Sequence, residues 1–487
     1  MKRVLLIVLD GWGIRNERKG NAVKLAKTPN FDYFWKKYPH TSLDASGKFV
    51  GLPKGTLGGS EVGHLHMGAG RIVEQKLTQI NKSIRNGTFQ KKKELKKIFR
   101  KCKKNGSCLH IMGLLSDAGV HSDINHLFAL LNVAKKNDLK KNQVKIHCFL
   151  DGRDTPPKSA KKYLDSLNKK IHKSVGEIAT ITGRYYSMDR DMRMHRTGRA
   201  YEAIVYAKGE KCKNYGEVIK SAYKKRETDE FVKPRVIGGY EGMKRNDGII
   251  FFNFRSDRMR QLASMLLKIN KNIVSMTRYS KNLKTNVLFL PNIVKNSLGE
   301  VISKVGLKQL RIAESEKGPH VTYFFNGQKE KPFIGEKRVI IPSPKVPTYD
   351  IKPEMSAYKV TETLLKELKN NHDFILLNLA NGDMVGHTGI LGAGIKAVEA
   401  VDLCIGRIVE VAKKYTVIIT ADHGNCEDMR KTSKSHTAHT LNKVPFILIN
   451  NDYKDKKLKT GNLSNIAPTI LKLMKTKKPE IMGKDLL

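Results

Sequence analysis

Residues 4–10 read "VLLIVLD". Valine, leucine and isoleucine follow one another without a polar interruption, and the run stops at a carboxylate. A run this short and continuous predicts a strand buried on both faces, as in parallel sheets covered by helices. It is too short for the core of a signal peptide, and no small-residue cleavage pattern follows it. The same unit recurs near the other end of the chain. "FILLNLANGD" (374–383) reaches Asp383, "TVIITADHG" (416–424) reaches Asp422 and His423, and "VPFILIN" (444–450) is a further apolar run. Amphipathic stretches at 355–370 and 393–413 suit covering helices. In open α/β sheets ligands bind beyond the carboxyl ends of the strands. Asp10, Asp383 and Asp422 are therefore expected to meet at one sheet edge.

The middle of the chain repeats the pattern with different chemistry. "CLHIMGLLSDAGVH" (108–121) carries Asp117 and His121, and "VKIHCFLDGRD" (144–154) carries Asp151, Arg153 and Asp154. "EIATITGRYYSMDR" (177–190) carries Arg184 and Arg190, and "GIIFFNFRSDR" (248–258) carries Arg255 and Arg258. The expected architecture is α/β, with two domains, each a mainly parallel central sheet flanked by helices. Residues 1–74 and 296–487 would form a discontinuous, acidic, metal-binding domain. Residues 75–295 would form an inserted, arginine-lined domain that binds the substrate, with hinges near its two ends.

The chain has 487 residues and a formal net charge of +45. Its lysines are spread along the whole length, with no recognition motif and no basic strip interleaved with aromatics. The charge thus predicts weak, salt-sensitive contact with polyanions and an affinity for acidic small molecules, not specific nucleic-acid binding. No apolar run approaches the roughly 18 residues needed to cross a membrane. Six cysteines, at 102, 108, 148, 212, 404 and 426, form no CxxC pair or regular framework. They fit free thiols in a reducing cytoplasm.

"LPKGTLGGSEVGHLHMGAGR" (52–71) sets Ser60 among glycines at the start of an apolar-periodic run. The serine reads as a helix N-cap, and the helix start would also favour a phosphate beside it. The same residue can therefore be a nucleophile. Asp383 and His387 in "DMVGH" are four apart and can share a helical face. Asp422 and His423 are adjacent, and His439 in "SHTAHT" precedes the run at 444. With Asp10 these make three carboxylates and three imidazoles. Such a set suits Mn²⁺, Zn²⁺ or Fe²⁺ better than Ca²⁺, and with Ser60 it is large enough for two ions. His64, His66 and His436 read as structural histidines.

Taken together, "DGWG" (10–13), "SEVGHLHMGAGR" (60–71), "SDAGVHS" (116–122), "DGRDTPP" (151–157), "ITGRYYSMDRD" (181–191), "NFRSDR" (253–258), "PSPKVPTYDIKPEMSA" (342–357), "DMVGHTG" (383–389) and "ADHGN" (421–425) resemble the cofactor-independent phosphoglycerate mutases. These belong to the alkaline-phosphatase-like metalloenzymes. The resemblance implies interconversion of 3- and 2-phosphoglycerate through a phosphoserine, without 2,3-bisphosphoglycerate, by a cytoplasmic monomer with two Mn²⁺ ions. It implies Ser60 as nucleophile, one manganese site on Asp10, Ser60, Asp422 and His423, and the other on Asp383, His387 and His439. It assigns substrate binding to His121, Arg153, Asp154, Arg184, Arg190, Arg255 and Arg258, and an active-site lysine to Lys317. Asp154 would also exchange protons with the glycerate. The sequence departs from the family pattern at Gly59, Asp123, Gly318, Pro319 and Gly382. A related phosphohydrolase or a phosphopentomutase would share the metal set but not the central arginines.

Overall fold

A computed structural model describes residues 3–291, 293–430 and 437–487. The chain divides into two compact units, Met1–Gln75 with Ile293–Leu487, and Lys76–Asn292. Among the described residues the strands in chain order are β1 Arg3–Leu9, β2 His40–Asp44, β3 Leu109–Leu115, β4 Val144–Leu150, β5 Glu177–Gly183, β6 Glu210–Cys212, β7 Arg235–Ile237, β8 Gly248–Phe251, β9 Ile273–Thr277, β10 Asn286–Phe289, β11 Gln309–Glu314, β12 Glu336–Ile341, β13 Phe374–Leu379, β14 Tyr415–Thr420, β15 Val444–Ile449 and β16 Gly461–Asn462.

The first unit holds one sheet in the order β12-β11-β13-β1-β14-β15-β2-β16. β1 lies between β13 and β14, parallel to both, with Val4 opposite Phe374 and Thr416. Val4 to Leu9 are buried throughout, so the opening apolar run is the centre of the sheet. Helices Ala357–Glu367 and Leu391–Val411 take up the two amphipathic stretches and turn valine, leucine and isoleucine side chains into the same core. One expectation fails here: β15 runs antiparallel to both β14 and β2. All six of its residues are buried. Its continuous apolar run therefore reports burial on both faces, and burial does not set strand direction.

The second unit holds the order β10-β9-β8-β3-β4-β5-β7-β6. The six strands from β10 to β5 are parallel, and β7 reverses. Polar side chains inside this sheet satisfy one another. Asp247 meets His110 Nε2 at 3.0 Å, His110 Nδ1 meets His147 Nε2 at 2.9 Å, and His147 Nδ1 meets Thr180 Oγ1 at 2.9 Å. Burial holds the pKa values of both histidines below the usual range, so the chain of contacts is built from neutral rings. β8, β3, β4 and β5 are neighbours, so the four motifs that follow them leave from one sheet edge. No helix among the described residues is long and apolar enough to cross a membrane.

Candidate active site

Four neighbouring strands of the first unit end beside one another. β1 leads into Asp10, β13 into the helix Asn381–Gly386 with Asp383 in its first turn, and β14 into Asp422 and His423. β11 leads through a single 3-10 turn to Lys317. The three carboxylates and the lysine are all buried. Lys317 Nζ donates to Asp10 Oδ1 at 2.7 Å, to Asp383 Oδ2 at 2.6 Å and to Ser60 Oγ at 2.8 Å. Burial works against its charge, but Asp10, Asp383 and Asp422 raise its pKa above the ordinary lysine value. Burial and the charge of Asp422 push Asp10 up. Burial would push Asp383 up as well, but Lys317 and hydrogen bonds from His387 and His439 hold it well below the carboxylate range.

Ser60 opens the helix Ser60–Ala69, and Gly59, with extended backbone, is its N-cap. The expected serine cap is therefore corrected. The Ser60 hydroxyl is engaged elsewhere: it donates to Asp10 Oδ1 at 3.1 Å and meets His423 Nε2 at 3.0 Å. With the cap on a residue that has no side chain, the hydroxyl stays with the acidic cluster while the helix N-terminus still faces the site.

Two groups of side chains could hold metal ions, Asp383 with His387 and His439, and Asp10 with Asp422 and His423. The donor atoms in each group lie within 4.8 Å of one another. The histidines are oriented as metal ligands need to be. His387 Nδ1 faces the Thr437 carbonyl at 2.6 Å, His439 Nδ1 the Gly58 carbonyl at 2.8 Å and His423 Nδ1 the Gly424 carbonyl at 3.2 Å. A carbonyl on Nδ1 holds a proton there, so Nε2 is the nitrogen that donates to Asp383 when the ring is charged and that offers a lone pair to a metal ion when the ring is neutral. His387 Nε2 and His439 Nε2 then converge on Asp383 Oδ1, at 3.1 and 3.2 Å. Asp422 Oδ2 is buried with no hydrogen-bond partner among the described residues. Three buried carboxylates, one ammonium and converging lone pairs fit divalent cations.

Sequence reasoning passed over two supports of this site. Asn378 Nδ2 donates to Asp10 Oδ2 at 2.7 Å, and Asn425 Nδ2 donates to Asp383 Oδ1 at 3.0 Å. His64, as expected, is structural: its Nδ1 donates to the Ser60 carbonyl at 2.9 Å. It also stands 3.4 Å from Asp422. His66 is structural too, and burial pushes it down to about 4. His436 lies outside the described residues. Both asparagines stand inside the quoted motifs, but an amide next to a ligand gives no pattern of its own.

The second unit gathers the arginines. Asp151 Oδ1 accepts from the backbone of Arg153 and Asp154, at 3.2 and 2.9 Å, and from Arg184 Nη1 at 2.6 Å. Arg184 Nη1 also reaches Asp154 Oδ2 at 2.5 Å. The His121 carbonyl accepts from the backbone of Phe254 and Arg255, which ties the 255–258 loop to the 121 loop. His121 is pushed down to about 4 by burial and by Arg184. Asp257, another residue missed in the sequence, faces His121 at 3.7 Å, Arg255 at 3.4 Å and Arg190 at 3.6 Å. Burial, then the charges of Arg184, Arg190 and Arg153, lower the pKa of Arg258. Cations this crowded call for an anion. Asp117 is bound instead to Tyr163 and Lys162, and Asp123 caps the helix Ile124–Lys136.

The metalloenzyme superfamily pattern matches residues 2–478. The 2,3-bisphosphoglycerate-independent phosphoglycerate mutase of Clostridium tetani is 50% identical, over all of this chain and 99% of its own length. That of Clostridium acetobutylicum is 51% identical with the same coverage. The chain belongs to this mutase family. A crystal structure of Leishmania mexicana phosphoglycerate mutase, determined at low cobalt concentration, superposes with a TM-score of 0.75 at 29% identity, over all of this chain and 97% of that one.

Proposed function

We propose that the chain interconverts 3-phosphoglycerate and 2-phosphoglycerate through a phosphoserine at Ser60, with no need for 2,3-bisphosphoglycerate. The observation that carries this reading is Ser60 itself. A buried hydroxyl at a helix start, 2.8 Å from an ammonium and 3.1 Å from a carboxylate, is set up to accept a phosphate. Asp383, His387 and His439 would hold one divalent ion, and Asp10, Asp422 and His423, with Ser60, the other. Mn²⁺ is the proposed metal at both, and the donor set and the cobalt named for the Leishmania structure support a first-row transition ion. Bound metals supply Lewis acidity, which favours the ionised serine and spreads charge on the phosphoryl oxygens.

Ser60 Oγ bonds to phosphorus as the bond from phosphorus to the 3-oxygen breaks. Lys317 neutralises charge on the moving group. Ser60 gives up its proton to solvent, and Asp154, entering the cycle protonated, passes its own proton to the departing 3-oxygen. Arg153, Arg184, Arg190, Arg255 and Arg258, with His121, hold the glycerate by its carboxylate and hydroxyls while it turns. Asp154 then takes the proton of the 2-hydroxyl, the 2-oxygen attacks phosphorus, and Ser60 recovers its proton. Protons and phosphate both balance over the cycle. Residues 75–295 serve as the substrate-binding domain and the remainder as the metal-binding, phosphatase-like domain. The six free cysteines and the dispersed lysines support a cytoplasmic chain with no specific nucleic-acid partner, and we propose that it acts as a monomer.

A coupled assay tests the reading. Manganese-loaded protein given 3-phosphoglycerate and enolase should form phosphoenolpyruvate without added bisphosphoglycerate. Release of inorganic phosphate alone would identify a phosphohydrolase, and turnover of a pentose phosphate alone a phosphopentomutase. Neither of those would make use of the arginine cluster.

A further inference from the structure

Glu427 is fully buried, carries no role in the mechanism above and is not among the six metal-ligand candidates. Its carboxyl group accepts from three separate places. Oε2 takes the backbone N–H of Gly13 at 3.2 Å, and Oε1 takes the Asn442 amide at 2.9 Å and the Thr440 hydroxyl. Each place lies just beyond a ligand. Gly13 is three residues after Asp10, Thr440 is next to His439, and Glu427 itself is four residues after His423. The neighbouring backbone is cross-linked as well. Asn425 and Cys426 donate to the Gly11 carbonyl at 3.0 and 3.1 Å, and Thr440 donates to the Gly424 carbonyl at 2.9 Å.

Two glycines in the quoted motifs owe their identity to this side chain. A Cβ on Gly13 would run into the Glu427 carboxyl, and a Cβ on Gly424 would run into both that carboxyl and the Thr440 hydroxyl. Gly13 of "DGWG" and Gly424 of "ADHGN" therefore make room for Glu427. A carboxyl group has just enough acceptor capacity to serve three donors at once.

We infer that Glu427 is a positioning residue that sets the relative placement of the three loops bearing Asp10, Asp422–His423 and His439, and so sets metal affinity without touching metal. This rests on the metal reading above. Groups that orient ligands typically alter metal affinity about 10- to 100-fold when changed. Glu427→Gln keeps the volume but turns one acceptor into a donor facing an N–H or O–H. Thr440→Val removes the hydroxyl donor at constant shape, along with the acceptor of the Asn442 N–H at 3.2 Å, and covers the case in which Glu427→Gln does not fold.

The experiment is a Mn²⁺ titration of the purified full chain, read by the electron paramagnetic resonance of free Mn²⁺, with steady-state kinetics at each metal level. Glu427→Gln should bind Mn²⁺ about 10- to 100-fold more weakly and Thr440→Val severalfold more weakly. KM for 3-phosphoglycerate should be unchanged, and turnover should return at saturating Mn²⁺. If the wild type binds no Mn²⁺, the metal reading fails and takes this inference with it. If the wild type binds and both folded variants match it, only the inference about Glu427 is overturned. Lost turnover that excess Mn²⁺ does not restore, with unchanged affinity, also overturns it.

Discussion

Lys317 Nζ lies 2.8 Å from Ser60 Oγ, inside a cage of carboxylates. The lysine is delivered by β11 and the serine by a helix more than 200 residues earlier, so the fold alone brings them together. Any phosphate on Ser60 would lie against this ammonium. Ser60→Ala should abolish mutase turnover while leaving far-ultraviolet circular dichroism unchanged. Mass spectrometry of acid-quenched wild type should find phosphate on the peptide containing Ser60. Near-normal turnover of the alanine variant would end the phosphoserine mechanism.

The same ammonium is the only lysine or arginine within 4 Å of Asp10 and Asp383 among the described residues. Breaking a buried ion pair by removing one partner costs about 3–5 kcal/mol. Lys317→Met should therefore destabilise the chelator-treated protein by that order in urea denaturation. Added Mn²⁺ should recover part of the loss. Equal stability of variant and wild type in chelator would show that the carboxylates do not depend on Lys317.

Chelation should remove mutase activity from the wild type and Mn²⁺ should restore it. Elemental analysis of the active protein should find divalent metal. Full turnover in excess chelator would refute a metal-dependent phosphoryl transfer.

Burial holds His126 and His320 down to about 3 and His66 and His121 down to about 4. The unfolded chain takes up these protons near pH 6.5 and the folded chain only below pH 4 or so. Stability from neutral burial is thus complete above pH 6.5 and is lost as pH falls from 6.5 toward 4. The slope is about 1.4 kcal/mol per pH unit for each histidine in this window. Urea midpoints of the chelator-treated protein at pH 7.0, 6.0 and 5.0 should fall in that order. A flat profile would show that these rings are not held neutral.

If the arginine cluster holds glycerate between half-reactions, labelled free glycerate should not enter product. Arg255→Ala or Arg258→Ala should lower turnover and raise the share of phosphate lost to water. Each charge-assisted hydrogen bond removed is worth about 1.5–3 kcal/mol, or roughly ten- to a hundredfold in binding. Free exchange of label in the wild type would mean that glycerate is not retained.

The fold was legible because its strands announce themselves. β1, β13 and β14 are mostly apolar runs that each lead within a few residues to a carboxylate, and that pattern predicts both burial and the side of the sheet on which chemistry gathers. Strand direction was not legible at β15, because double-sided burial looks the same in either sense. The cap on Gly59 was missed because a serine at a helix start is ordinarily the cap, and only tertiary contacts show that its hydroxyl is drawn to Asp10 and His423. Asn378, Asn425, Asp257 and Glu427 escaped for a common reason. Their work lies in hydrogen bonds or, for Asp257, ion pairs, mostly to partners distant in sequence, and a one-dimensional pattern records residue type but not partner.

The central position of β1 also has a consequence for how the protein is made. β1 is made before every other strand described here, yet the two strands that flank it, β13 and β14, are among the last to be made. Its buried apolar edges stay uncovered throughout synthesis, while residues 76–292 emerge as one continuous stretch that can fold on its own schedule. Pairing at such long sequence separation is slow and leaves an exposed strand open to association with other nascent chains. Chaperone demand during translation should therefore centre on β1, and the cluster of Asp10, Asp383 and Asp422 is among the last parts of this chain to assemble.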